Sequence, residues 1–145
     1  METQQNNIWM RYLLFGAFSL LITFSLSCIK EYTQKGIFVF VNQTNYNISA
    51  GYSVEPFTLM PNSTMNKEQV QPSTKKVAAL GFQSPLSGDN QFVVKIGDKC
   101  IINTKESINS IINIASYISE KIDERTYKFT YTFTEADYNR AVTCP

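Results

Sequence analysis

The sequence predicts an all-β domain, an antiparallel sandwich or small barrel of about six to eight short strands with a short helical turn near its C-terminus, because strand-like runs alternate with turn signals. Three stretches carry this. Tyr127-Lys-Phe-Thr-Tyr-Thr-Phe133 alternates strictly, so that Tyr127, Phe129, Tyr131 and Phe133 face one way and Lys128, Thr130 and Thr132 the other. Phe92 to Ile96 and Lys99 to Ile102 are β-branched runs joined by Gly97-Asp98, a two-residue link suited to a tight primed hairpin turn. Ile37-Phe-Val-Phe-Val41 is a continuous apolar run of β-branched and aromatic residues, as in a strand covered on both faces.

Taken in order, Ile29 to Gly36 is polar and reads as a tether, and Ile37 to Val41 is the first strand. Asn42 to Asn45 turns the chain. A second strand is expected from Tyr46 to Val54, with Gly51 marking a bulge or a close backbone approach. Phe57 to Met60 is a brief strand closed by the turn Pro61-Asn62-Ser63. Thr64 to Lys75, polar and holding Pro72, is loop or weak edge strand. Lys76 to Phe82 is apolar on alternate and intervening positions, which suits a strand covered on both sides, and Gln83 to Gln91 is loop.

Asn103 to Asp123 is ambiguous. Ile108, Ile111, Ile112, Ala115, Ile118 and Ile122 recur near helical spacing, but the surrounding Ile, Asn and Ser have poor helix propensity. A helix over 108–122 would turn the fold into α+β; the other reading is loop with a short strand. Thr134-Glu-Ala-Asp137 matches a capping box and opens a short helical turn through Ala141.

The four aromatics of 127–133 can each bury on the order of 150–250 Å² and so read first as core, with a stacking platform for sugar as the sharper alternative. Tyr46, Tyr52 and Tyr117 read likewise as half-buried sheet residues or as lining for a ligand surface.

The N-terminus places the chain. After Arg11, the uncharged run from Tyr12 to Ile29 carries Ser25-Leu-Ser-Cys28 near its end. Such a run can be a cleaved export signal, a signal ending in a lipid-acceptor cysteine, or an uncleaved span, since as a helix it would reach roughly 27 Å. The small residue before Cys28 favours lipidation of that cysteine, although Ser25 and Leu26 depart from the usual lipobox order. Domain organisation then follows as signal 1–27, tether 28–36 and a single β-rich domain 37–145. The three cysteines support the division. With Cys28 given to a lipid, Cys100 and Cys144 remain as a pair that an oxidising envelope would close, or as two free thiols.

Composition excludes more than it assigns. The 145 residues carry a net charge of +1, so no basic footprint for nucleic acid exists. With no histidine, Ser-His-Asp and Cys-His nucleophilic sites and the usual zinc sets are absent, and no catalytic residue, cofactor or metal is assigned. Asp123 with Glu124, or Glu135 with Asp137, could be imagined as paired carboxylates of a glycoside hydrolase, but each also reads as turn or cap. Three sequons begin at Asn42, Asn47 and Asn62, where this Asn, Ser and Thr content yields about two by chance, so they are weak evidence for a eukaryotic secretory origin.

The cysteine-terminated signal, Asn-Gln-Thr-Asn at 42–45, Phe-Thr-Leu-Met-Pro-Asn-Ser-Thr at 57–64, the Ile96 to Ile102 hairpin, Ile112-Asn-Ile-Ala-Ser-Tyr117 and Tyr131-Thr-Phe-Thr-Glu-Ala-Asp-Tyr-Asn139 together resemble the small lipoproteins of the Bacteroidota, the group that includes the flavobacteria. The resemblance implies a lipid-anchored β-rich domain of the cell envelope and is silent about activity and ligand. From the residues as a whole, the expectation is a noncatalytic protein held at a membrane, the bacterial outer membrane, by a lipid on Cys28, with another envelope protein or a glycan as its partner.

Overall fold

Alternation of inward aromatics with outward aliphatic and polar residues builds the first sheet, and in the computed structural model that sheet begins earlier than the hydrophobic run suggests. The structure describes residues 32–50, 57–73, 75–86 and 91–144. The elements in chain order are β1 (Tyr32–Asn42), β2 (Ile48–Ala50), β3 (Phe57–Leu59), β4 (Thr64–Ser73), β5 (Gln91–Ile96), β6 (Lys99–Thr104), β7 (Ile118–Lys121), β8 (Thr126–Phe133), α1 (Glu135–Arg140) and β9 (Val142–Thr143). One sheet has the order β4-β1-β8-β7 and the other β3-β2-β5-β6-β9. The described residues therefore form the all-β sandwich expected, with one short helix among them and no closed barrel.

The pairing is not antiparallel throughout. β1 and β8 run parallel, from Lys35 opposite Thr126 to Asn42 opposite Phe133. All other neighbours are antiparallel. The start of β1, the end of β4, the start of β8 and the end of β7 consequently share one end of the first sheet. The two inner faces meet in a core rich in phenylalanine, all of it almost fully buried: Phe38, Phe40, Phe129 and Phe133 from the first sheet, Ile48, Val94 and Ile96 from the second. Phe38 stacks on Phe129 at 4.9 Å, and Phe40 on Phe57 at 5.5 Å ties β1 to β3 across the sandwich.

Several expectations are corrected. Tyr32 to Gly36 belongs to β1 and not to a tether, because Gln34 and Gly36 occupy inward positions in the same alternation as Phe38 and Phe40. Of the two readings of Thr64 to Lys75, the edge strand is the one that holds: Thr64 to Ser73 is ten residues in continuous register with β1. Lys67 in its middle and Pro72 near its end are residues that discourage pairing with a further chain. Lys76 to Phe82 forms no strand. The Gln34 side chain donates to Val77 O at 3.0 Å and accepts from Val77 N–H, so an amide replaces a neighbouring strand, and the chain then makes a 3-10 turn at Ala79–Gly81.

The helix over 108–122 is also absent. Ile111 and Ile112 are buried, whereas Ile108, Ile118 and Ile122 are exposed, so the isoleucines do not make one face. That stretch is loop, a 3-10 turn at Ile114–Ser116 and strand β7. The second strand is seen as Ile48–Ala50. Its expected continuation, with Gly51 and Tyr52, lies outside the described residues, as do Cys28, the rest of the proposed signal and the tether residues 28–31. No helix among the described residues is long and apolar enough to cross a membrane.

The hairpin forms as expected, with Gly97 at φ 59 in its turn. A Cβ on Gly97 would stand 2.9 Å from the Tyr46 ring.

Candidate functional site

The end of the sandwich where β1 stops holds most of the residues singled out for chemistry, and nearly all of them are occupied in holding loops. Asn42 is fully buried at this end. Its Nδ2 donates to Tyr46 O (2.8 Å), Met60 O (2.9 Å) and Leu59 O (3.3 Å), while its Oδ1 accepts from Thr44 N–H (2.9 Å) and Thr44 Oγ1 (2.8 Å). The first sequon is thus an internal brace in the folded chain, with both its Asn and its Thr inaccessible. Asn47 and Asn62 are exposed, the latter at φ 56 in the turn before β4.

Tyr46 stacks on Tyr138 at 3.9 Å and 15° between ring planes. Gly97 lies against the Tyr46 ring, and Lys99 Nζ lies 4.3 Å from the Tyr138 centroid. The Tyr138 hydroxyl donates to Asp98 Oδ1 at 3.1 Å, and its pKa is pushed up to about 12, chiefly by its hydrogen bond with Tyr46 and then by Asp98. The aromatic faces are thereby taken up by protein groups, and this stack joins the hairpin tip to α1. Beside it, Cys100 and Cys144 form a disulfide, with Cα atoms 4.8 Å apart, and β9 pairs with β6 at Cys100.

The second carboxylate pair is a cap. Asp137 Oδ2 accepts from Thr134 N–H at 2.8 Å and from Thr134 Oγ1 at 3.1 Å, and its Oδ1 receives Arg140 Nε and Nη2 at 3.0 and 2.7 Å. Glu135 Oε1 accepts from Asn45 N–H at 3.1 Å. Asp123 lies at the opposite end of the first sheet, in an exposed turn. There it accepts from Arg125 N–H at 2.7 Å, and this bond above all holds its carboxyl below the usual range. The two pairs are not brought into one cleft.

Phe129, Tyr131 and Phe133 face inward as core, so they offer no sugar platform, and Tyr127 packs against them half-buried. Tyr117 is also buried. Its hydroxyl donates to Ile111 O at 2.5 Å and meets Ser84 Oγ at 3.0 Å, and burial raises its pKa. Near that pair, Phe82, Ser84, Lys105, Ile112 and Asn113 line an open cavity of about 280 Å³. Asn113 is committed there, Nδ2 to Lys105 O and Oδ1 from Ala115 N–H. Sequence reasoning did not find this cavity, because its walls come from two loops. No group of acidic or cysteine side chains suited to a metal occurs among the described residues. No family model, curated protein or solved structure matches the chain.

Proposed function

We propose that the protein is a noncatalytic lipoprotein of the cell envelope, anchored through acyl chains on Cys28 and presenting its β-sandwich to another envelope protein or a glycan. The observation behind this is the distribution of its cysteines. Cys100 and Cys144 take each other, as suits an oxidising compartment, and Cys28 is left alone at the end of an apolar export-type run. The start of β1 only four positions later agrees with a folded domain that follows the cysteine directly. Metabolic labelling with radioactive palmitate, in wild type and Cys28→Ala, tests the anchor. Label confined to wild type is expected, and equal label in both would discard the reading.

A soluble secreted β domain is the second reading, favoured instead if the chain is released into the medium without acylation. An envelope hydrolase working through paired carboxylates draws least support. Asp137 is already engaged by Thr134 and Arg140, Glu135 by Asn45, and Asp123 by its own turn.

A further inference from the structure

Only residues 29, 30 and 31 separate Cys28 from Tyr32, the first residue of β1. Fully extended, that link covers at most about 14 Å, whereas β1 itself runs on for roughly 33 Å. An anchor on Cys28 would therefore keep the Tyr32 end of the first sheet close to the bilayer and the Asn42 end away from it. The parallel pairing of β1 with β8 decides which residues stand at that near end.

Tyr32 there receives the Arg125 guanidinium 5.2 Å from its ring centroid, and its hydroxyl donates to Glu124 O at 3.4 Å. Lys121 ends β7, and Lys75 and Lys76 follow the end of β4. Two carboxylates, Asp123 and Glu124, lie at this end with the four cations, both in the turn between β7 and β8, and Asp123 is folded back onto Arg125 N–H. The segment after Lys76 crosses the inner side of the same end, bonded at Val77 to Gln34 and packed at Phe82 on Tyr127. Between those two fixed points Leu80 is left 74% exposed.

An exposed leucine on a tight turn, at the same end of the sheet as several long basic side chains, is the chemistry of an interfacial contact: the apolar group enters the headgroup boundary and the cations meet phosphates. We propose that this end, through Leu80, Lys75, Lys76, Lys121 and Arg125, rests on anionic phospholipid headgroups of the membrane that holds Cys28. The proposal depends on the lipid-anchor reading. It adds an orientation, with the Tyr46–Tyr138 end and the turns at 43–47 and 60–63 directed away from the bilayer.

The only tryptophan, Trp9, precedes Cys28 and would be removed with the signal, so single reporters can be placed cleanly. Leu80→Trp and Met60→Trp both replace exposed apolar residues, at the near and far ends respectively. The acylated proteins are reconstituted into phosphatidylglycerol vesicles with brominated acyl chains. Leu80→Trp emission is expected to fall at least roughly twofold and Met60→Trp emission to stay unchanged, because the quencher acts only at the acyl boundary. Adding Lys75→Gln and Lys76→Gln, or replacing phosphatidylglycerol by phosphatidylcholine, should relieve the Leu80→Trp quenching. Mass spectrometry of the amino terminus separates the two ways of failing. An unacylated terminus removes the anchor and the orientation together, whereas an acylated terminus with Leu80→Trp unquenched, or quenched equally with Met60→Trp or equally in neutral vesicles, overturns the orientation alone.

Discussion

Asn42→Ala is expected to cost the fold about 3 kcal/mol, a large share of the roughly 5–15 kcal/mol that holds a domain together. The size follows from what survives the change. Tyr46 O keeps the Thr44 hydroxyl at 3.2 Å, and Met60 O keeps Ser63 N–H and Oγ at 3.2 and 2.7 Å. Thr44 N–H loses its acceptor inside a fully buried residue, and Leu59 O loses the amide. Two buried groups at about 1–3 kcal/mol each, less what the loops recover by relaxing, give the estimate. Urea unfolding of the purified protein measures it. At an m-value of roughly 1.5 kcal/mol per M the midpoint should fall by about 2 M with the slope unchanged. Asn42→Asp sharpens the test, since a carboxylate would point an oxygen at three carbonyls in place of the amide donor. Its pKa in the folded state should rise above the unfolded value of about 3.9, so this variant should be most stable below that pH and lose stability as pH rises through the raised value. A loss under about 1 kcal/mol in Asn42→Ala, or an Asn42→Asp protein as stable as wild type at neutral pH, would refute the argument that this side chain holds the turns.

Other consequences follow from the same packing. Replacing Cys100 and Cys144 by Ser opens a bridge spanning 44 positions and should cost about 4 kcal/mol on the chain-entropy account, seen as a lower urea midpoint than that of the oxidised protein. Gly36→Ala would place a methyl 2.9 Å from Phe38 Cε2 and 3.2 Å from the Phe82 ring, and should cost about 1–3 kcal/mol by thermal or urea unfolding. The Tyr131 hydroxyl donates to Asn109 O at 2.6 Å, and its pKa is pushed from 10.0 up to about 12, mainly by burial and then by the Asp137 carboxylate. The folded pKa is the higher one, so the contribution is intact below pH 10 and is lost as pH rises toward about 12, by roughly 3 kcal/mol in all. Tyr131→Phe should make the alkaline decline in urea midpoints measured at stepped pH shallower, the share of the buried Tyr117 remaining.

What could be read from the sequence and what could not divides along the chemistry of the side chains. Phe129, Tyr131 and Phe133 showed their face through strict alternation, Gly97-Asp98 its turn through the need for positive φ, and Thr134 with Asp137 the cap at α1 through spacing. Each is a local signal. The Cys100–Cys144 pairing came from counting, which works only because the number is small and one member, Cys28, was set aside for the proposed lipid. The carboxylates were legible as residues but not as a site, and the fold explains why: Asp123 is taken up by its own turn, Asp137 by Thr134 and Arg140, and Glu135 by Asn45. The 280 Å³ cavity has no local signature, since residues 82–84 and 105–114 meet there only after folding.

The corrected boundaries have a shared cause in buried amides. Gln34, Asn42 and Asn103 all point inward from strands, at 1%, 0% and 3% exposure, and each stands in for a backbone partner where a ladder ends. Gln34 holds Val77 on both sides, so 76–82 need not be a strand although its apolar content suggests one. Asn103 Nδ2 donates to Phe92 O and Ile101 O at 3.3 Å, and its Oδ1 accepts from Ile111 N–H at 3.2 Å. That last bond draws Ile111 and Ile112 into the core without a helix. A pattern of apolar and polar residues counts such amides as outward, which is why β1 seemed to start at Ile37 and the isoleucines after 108 seemed to ask for a helix. In a sandwich this small, an inward glutamine or asparagine is better read as the place where one strand's hydrogen bonding is handed to a loop. On that rule Gln34 extends β1 to within four positions of Cys28, and so fixes how closely an acyl anchor on that cysteine would hold the domain to its membrane.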